Sequence, residues 1–251
     1  MKIFRYSGAL RVALTAWGMV AFGPASGLAA GKLRFPGSAD LVRKSAEPFG
    51  VSAFRLSSGG LREKWLAVQR KLDDERVQLA LCDGDRERCA SPAALDFLAI
   101  VDSGKTREGR ARLGEINRAI NLAIRPMSDL AQFGEIDVWS SPLVTFTSGR
   151  GDCEDYAVAK FVALYLAGIS PDDLRIVIIR DTIRGEDHAV AAARLDGQWL
   201  TLDNRRMAMI EDAYVRNYRP LYVIDRYGVM QYVDAPVRAR LEAVSSSEIG
   251  D

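Results

Sequence analysis

Cys153 sits in the run Gly149-Arg150-Gly151-Asp152-Cys153-Glu154-Asp155-Tyr156, directly after a glycine-rich turn and at the start of an apolar-periodic segment. A helix N-terminus faces a thiol with unsatisfied backbone N–H groups and the positive end of the helix dipole, conditions that favour the thiolate. Asp152, Glu154 and Asp155 act in the opposite sense, because negative charge beside a thiol opposes its ionisation. His188 is the only histidine of the chain, so a Cys–His pair has one possible partner. Nucleophilic catalysis by cysteine needs that pair, plus a carboxylate to orient the imidazole and N–H donors to meet the oxyanion.

The carboxylate follows from a turn. Asp196-Gly197 is a strong two-residue type I′ hairpin signal between two strand-like runs. With that turn Leu195 pairs with Gln198, and Asp203 falls opposite Val190, two residues from His188. His188 and Asp203 then share one face as diagonal neighbours, roughly 7–8 Å apart at the backbone. A one-residue slip would put them on opposite faces. Oxyanion donors would be the Cys153 backbone N–H and the indole N–H of Trp139. Taken singly, a cysteine at a helix start, a histidine on a strand and an aspartate at a strand end are ordinary structural residues. Their order, the turn parity and the leftover thiol together point to catalysis.

The elements that must position these residues are helices first and strands later. Leu61 to Leu81, Pro92 to about Val101, and Lys105 to Ile124 carry helical apolar spacing, and a further helix is expected from Cys153 to Ala167. Ser91-Pro92 has the cap-then-proline order of a helix start. Residues 126–152 read as a long loop, more often functional than idle in a compact domain. A short strand is expected within 51–56. Leu174–Arg180, His188–Leu195, Gln198–Asp203, Leu221–Asp225 and Val229–Val233 read as strands. This order predicts an α+β fold with a helical N-terminal part packed on an antiparallel sheet.

Composition is globular, with 48% apolar and 27% charged residues over 251 positions. Residues 1–30 hold Lys2, Arg5 and Arg11 and no acids, so the remainder carries 31 basic against 33 acidic residues. No nucleic-acid or anionic-membrane surface is expected from that balance. The first 30 residues have the positive, apolar and small-residue regions of an export signal, with an uncleaved anchor as the alternative. The expected organisation is a signal at 1–30, an irregular segment at 31–60, a catalytic domain at 61–235 and a tail at 236–251. Within the domain, the helical lobe covers about 61–125 and the catalytic helix and sheet about 139–235. Cys82 and Cys89 flank Asp83-Gly84, so a small disulfide loop is expected in an oxidising compartment, with two free or buried thiols as the alternative. Cys153 is then unpaired. Asp83, Asp85 and Glu87 read as a solvated acidic turn.

Gly151-Asp-Cys-Glu-Asp-Tyr-Ala157, the Trp139/Pro142 segment, and His188 followed by Leu202-Asp-Asn204 resemble the bacterial transglutaminase-like cysteine proteases, and within them the periplasmic adhesin proteases of the LapG type. The resemblance covers about 60–235. It implies a transglutaminase-like fold, a Cys153–His188–Asp203 triad and calcium at Asp152 and Glu154, with Asp155 a further candidate. Acids at a helix start that merely complement the dipole are the alternative to a cation site. The resemblance also implies a periplasmic endopeptidase that cuts the N-terminal region of a large surface adhesin at a dialanine-containing site and promotes biofilm dispersal. An inner-membrane cyclic di-GMP receptor would sequester it. A transglutaminase, which passes the acyl group to an amine, would use the same triad, and a non-catalytic binding module would keep the fold alone.

Overall fold

A computed structural model describes residues 46–233. The expected export signal and the tail at 236–251 lie outside these residues, as does the irregular segment up to residue 45.

Three helices build the first half. Helix α1 (Gly60–Gly84) buries Trp65, Val68, Leu79 and Cys82, and α2 (Pro92–Lys105) buries Ala94, Phe97, Leu98 and Val101. The Ser91 hydroxyl caps α2 by accepting the Ala94 N–H at 3.2 Å, with proline at the first turn. The disulfide Cys82–Cys89 ties the end of α1 to the approach to α2, with its Cα atoms 4.7 Å apart. Asp83 and Asp85 in its loop are exposed and paired with Arg86 and Arg88. Helix α3 (Gly109–Ala123) presents Leu113, Ile116 and Ile120 to the core. The third helix thus starts at Gly109 rather than at Lys105. Lys105 ends α2, and the chain turns through Thr106, whose hydroxyl donates to the Ser103 carbonyl. Gly104 lets α2 and α3 approach closely, since a Cβ there would lie 2.6 Å from Ile116.

The expected loop at 126–152 contains structure of its own. Two short parallel strands, β2 (Arg125–Pro126) and β3 (Arg150–Gly151), pair across it. Between them lie α4 (Asp129–Phe133) and α5 (Pro142–Ser148). Helices of one to two turns show no resolvable 3.6-residue period, and their stability comes from tertiary contacts. Glu75 of α1 supplies one such contact, accepting the Leu143 N–H at 3.2 Å and the Ser141 hydroxyl at the start of α5.

Helix α6 (Cys153–Leu166) is buried along most of its length, which explains its nearly uniform apolar composition. It lies on a sheet made from β1 (Ala53–Arg55), β4 (Leu174–Asp181), β5 (Glu186–Leu195), β6 (Gln198–Leu202), β7 (Ile210–Glu211), β8 (Tyr218–Asp225) and β9 (Gly228–Tyr232). The order is β1-β9-β8-β4-β5-β6-β7, with antiparallel neighbours throughout. Ala189, Ala191 and Ala193 of β5 join the helical core, and these small residues leave room for α6. Val190, Ala192, Trp199, Tyr218 and Val223 fill a second core on the other side. The α+β expectation therefore holds. Asp196 (φ 51°) and Gly197 (φ 80°) make the type I′ turn, and Leu195 pairs with Gln198 as its geometry requires. Strand β6 leaves the ladder at Leu202 opposite Ala191, whereas β5 reaches back to Glu186 against β4. Residues 186–190 therefore form an edge that β6 does not cover. Among the described residues, no helix is long and apolar enough to cross a membrane.

Candidate active site

Cys153 is the first residue of α6. Gly151 is required just before it, because a Cβ there would lie 2.8 Å from Asp155. The half-buried thiol is the only free cysteine among the described residues. It meets the sheet at the uncovered edge of β5, where its sulfur faces the backbone N–H of Ala189, the residue after His188. The thiol also donates to Glu154 Oε2 at 3.1 Å. Burial first, and then the Glu154 charge and hydrogen bond, push the Cys153 thiol above its ordinary range, while the Ala189 N–H acts the other way.

His188 Nε2 lies 2.8 Å from Asp203 Oδ1, and both residues are buried. Asp203 follows the last residue of β6, on the face that the turn parity predicts. Its carboxylate also accepts the Arg205 N–H at 3.0 Å on Oδ1 and the Tyr218 hydroxyl at 2.5 Å on Oδ2. Burial alone would raise the Asp203 carboxyl. Hydrogen bonds from His188, Tyr218 and Arg205, with the His188 charge, outweigh it and hold the group well below the usual carboxylate range. An ionised Asp203 accepts from Nε2–H, which leaves Nδ1 as the basic nitrogen. Nδ1 is buried and has no hydrogen-bond partner. It is therefore the ring nitrogen that Asp203 leaves open.

The acids divide. Asp152 and Glu154 converge with Asp129 of α4, with one carboxylate oxygen from each within 4.8 Å of the others. Asp129 Oδ1 and Asp152 Oδ1 are buried without partners. Burial, then the hydrogen bond and charge of Glu154, and then the charges of Asp155 and Asp129, push the Asp152 carboxyl up to about 9. Converging hard oxygens with unsatisfied lone pairs, mutually repelling as anions, fit a divalent cation such as Ca²⁺. Asp155 Oδ1 accepts the Ser140 N–H at 2.8 Å, and its Oδ2 is buried without a partner outside the three-oxygen cluster. The gathered set is thus Asp129, Asp152 and Glu154, without Asp155.

A family model described as bacterial transglutaminase-like cysteine proteinase matches residues 78–224. The chain belongs to that family. Among solved structures, calcium-bound LapG of Legionella pneumophila is 23% identical over 55% of this chain and 77% of its own, with a TM-score of 0.50. Another structure of Legionella pneumophila LapG is 22% identical over 62% of this chain and 87% of its own, also at 0.50. An EGTA-treated form of the same protein is 22% identical over 60% and 85%, again at 0.50. No curated protein matches the chain in sequence.

Within this proteinase fold, Trp139 is buried and donates its indole N–H to Asp137 Oδ1 at 2.9 Å. That donor is already engaged, so the expected oxyanion role would first require its release from Asp137. The Trp139 segment is instead gripped by acids: Asp129 accepts the Val138 N–H and Asp155 the Ser140 N–H. Sequence reasoning missed Asp129 and Tyr218. Asp129 lies in a stretch read as loop, and no local pattern ties it to residue 152. Tyr218 belongs to β8, and its ring stands edge-on to His188 with centroids 6.1 Å apart. A strand boundary set at Tyr218 rather than Leu221 would have placed its hydroxyl on the sheet. Tyr218→Phe removes a hydrogen bond to an ionised carboxylate, worth about 1.5–3 kcal/mol. Its kcat is expected to fall about tenfold or more with KM unchanged; steady-state kinetics on a peptide substrate check this.

Proposed function

We propose that the protein is an exported, calcium-dependent cysteine endopeptidase with Cys153 as nucleophile, His188 as general base then acid, and Asp203 as the carboxylate that orients His188. The observation that carries this reading is the buried His188–Asp203 hydrogen bond together with the unpartnered Nδ1. His188 Nδ1 takes the thiol proton as sulfur attacks the scissile carbonyl. The oxyanion meets the Cys153 backbone N–H, one of the donors without an intrahelical partner in the first turn of α6. The imidazolium then gives its proton to the leaving amine, and a thioester remains. Water, deprotonated by His188, attacks the thioester, and the thiol is regenerated with release of the acid. Asp203 accepts from Nε2–H throughout and stabilises the imidazolium. Calcium, when bound by Asp129, Asp152 and Glu154, would supply positive charge that offsets the acids around the thiol.

The substrate is the N-terminal region of a large surface adhesin, cut at a dialanine-containing site in the periplasm. A cyclic di-GMP receptor of the inner membrane restrains the enzyme, and its release promotes biofilm dispersal. These assignments rest on the resemblance carried by residues 151–157, 188 and 202–204. The test incubates the protein and Ca²⁺ with an adhesin fragment containing the dialanine site, with and without a primary amine, and reads intact masses. Two fragments summing to substrate plus one water, unaffected by the amine, are expected. An uncut fragment carrying the amine at glutamine would instead make the protein a transglutaminase.

A further inference from the structure

Lys160 is fully buried in α6, where an apolar residue would pack without desolvating a charge. It lies two turns after Cys153 on the same helical face, and helical side chains lean back toward the N-terminus. Its Nζ donates to the Leu202 carbonyl at 3.1 Å and stands 5.8 Å from the centre of the Tyr156 ring. Leu202 is the last residue of β6 and the residue before Asp203. The backbone beyond it is fastened from α3: Asn121 donates to the Asp203 and Arg206 carbonyls, both at 3.0 Å, and Asn117 donates to the Met207 carbonyl at 3.0 Å. Lys160 thus holds from α6 the turn that Asn117 and Asn121 hold from α3.

We propose that Lys160 is a positioning residue for the triad: its amine fixes the Leu202 carbonyl where β6 ends, next to Asp203, so that the carboxylate stays aligned on His188 Nε2. This rests on the triad reading above. Burial pushes the Lys160 ammonium down to about 7, and the Asp203 charge is the one influence that opposes the shift. An apolar residue at this depth would avoid that desolvation cost, which the contact with the Leu202 carbonyl has to offset.

The test uses the full chain with Ca²⁺ and two variants, Lys160→Met and Lys160→Gln. Because His188 is the only histidine, its Nε2–H gives a single imidazole proton resonance by NMR. Lys160→Met is expected to lower the melting temperature modestly, because the Leu202 carbonyl loses its donor, to shift or broaden that resonance, and to lower kcat about tenfold or more with KM within about twofold. Lys160→Gln keeps a donor for the Leu202 carbonyl and is expected to recover part of kcat. Wild-type kcat and an unmoved resonance in Lys160→Met would overturn the proposal. If Lys160→Met does not fold, Lys160→Gln decides, and an unmoved resonance there overturns it equally. Should the wild-type protein cleave no peptide, the functional reading fails, while a resonance that still responds to Lys160 upholds the positioning role.

Discussion

Cys153→Ala is expected to abolish peptide cleavage and to leave the melting temperature within about 1–2 °C of wild type, because the thiol packs at the rim of the core rather than inside it. The thiol's hydrogen bond goes to Glu154, and its loss opens no core cavity. Removing the nucleophile from a triad that acts as a unit costs about 10³-fold or more in kcat, and a second lesion adds little. His188→Ala is therefore expected to be as inactive as Cys153→Ala, and the double variant no worse than either. Mass analysis of the adhesin fragment after long incubation provides the check. Cleavage retained in Cys153→Ala would sink the nucleophile assignment. A thiol-directed probe gives an independent reading: the other two cysteines form the Cys82–Cys89 disulfide, so labelling of the unreduced protein should be lost with Cys153 alone.

What was legible in the sequence is what short-range chemistry dictates. Asp196-Gly197 admits essentially one tight hairpin, and that register carried His188 and Asp203 to the same face and into a 2.8 Å contact. Gly151 and the apolar period after it placed Cys153 at a helix start. The rest depends on contacts between distant segments. Asp129 reaches Asp152 only because β2 pairs with β3, a two-residue ladder with no sequence signal. Tyr218, Asn117, Asn121 and Lys160 all act on the turn after β6 from three other elements, and each reads locally as an ordinary strand or helix residue. Trp139 shows what residue type and position leave open: they suggest an oxyanion donor, and in the structure its N–H is held by the neighbouring Asp137. Side-chain roles assigned by type stand only where the competing partners within a few residues have also been counted.

Calcium removal is expected to have the second large effect, on stability and on the thiol together, with the sign set by the acids. An acid whose folded pKa is raised binds its proton more tightly when folded. Its penalty is absent below the unfolded value and grows as pH rises toward the folded one. For Asp152 that window runs from the ordinary carboxylate range to about 9, so the calcium-free protein should lose melting temperature between pH 5 and pH 8. Ca²⁺ at about 100 times its Kd adds about 2.7 kcal/mol, or roughly 5–10 °C for a domain of this size, and the gain should widen as pH rises. The same ion offsets the Glu154 charge that, after burial, holds the thiol up. At fixed pH, alkylation of Cys153 should therefore accelerate on calcium binding, about threefold for each unit by which its pKa falls, since the gain in thiolate outweighs the loss of intrinsic nucleophilicity. Asp129→Asn separates this from general destabilisation. The amide oxygen can still accept the Val138 N–H, but the charge is gone, and calcium affinity should fall at least about 10–100-fold, the loss seen when only a supporting residue of a metal site is changed. Calorimetric titration with Ca²⁺ measures the affinity, and differential scanning calorimetry measures the pH trend. Equal calcium affinity in Asp129→Asn would remove Asp129 from the site. A melting temperature and alkylation rate both indifferent to a chelator would return the acids to the lesser role of complementing the dipole of α6.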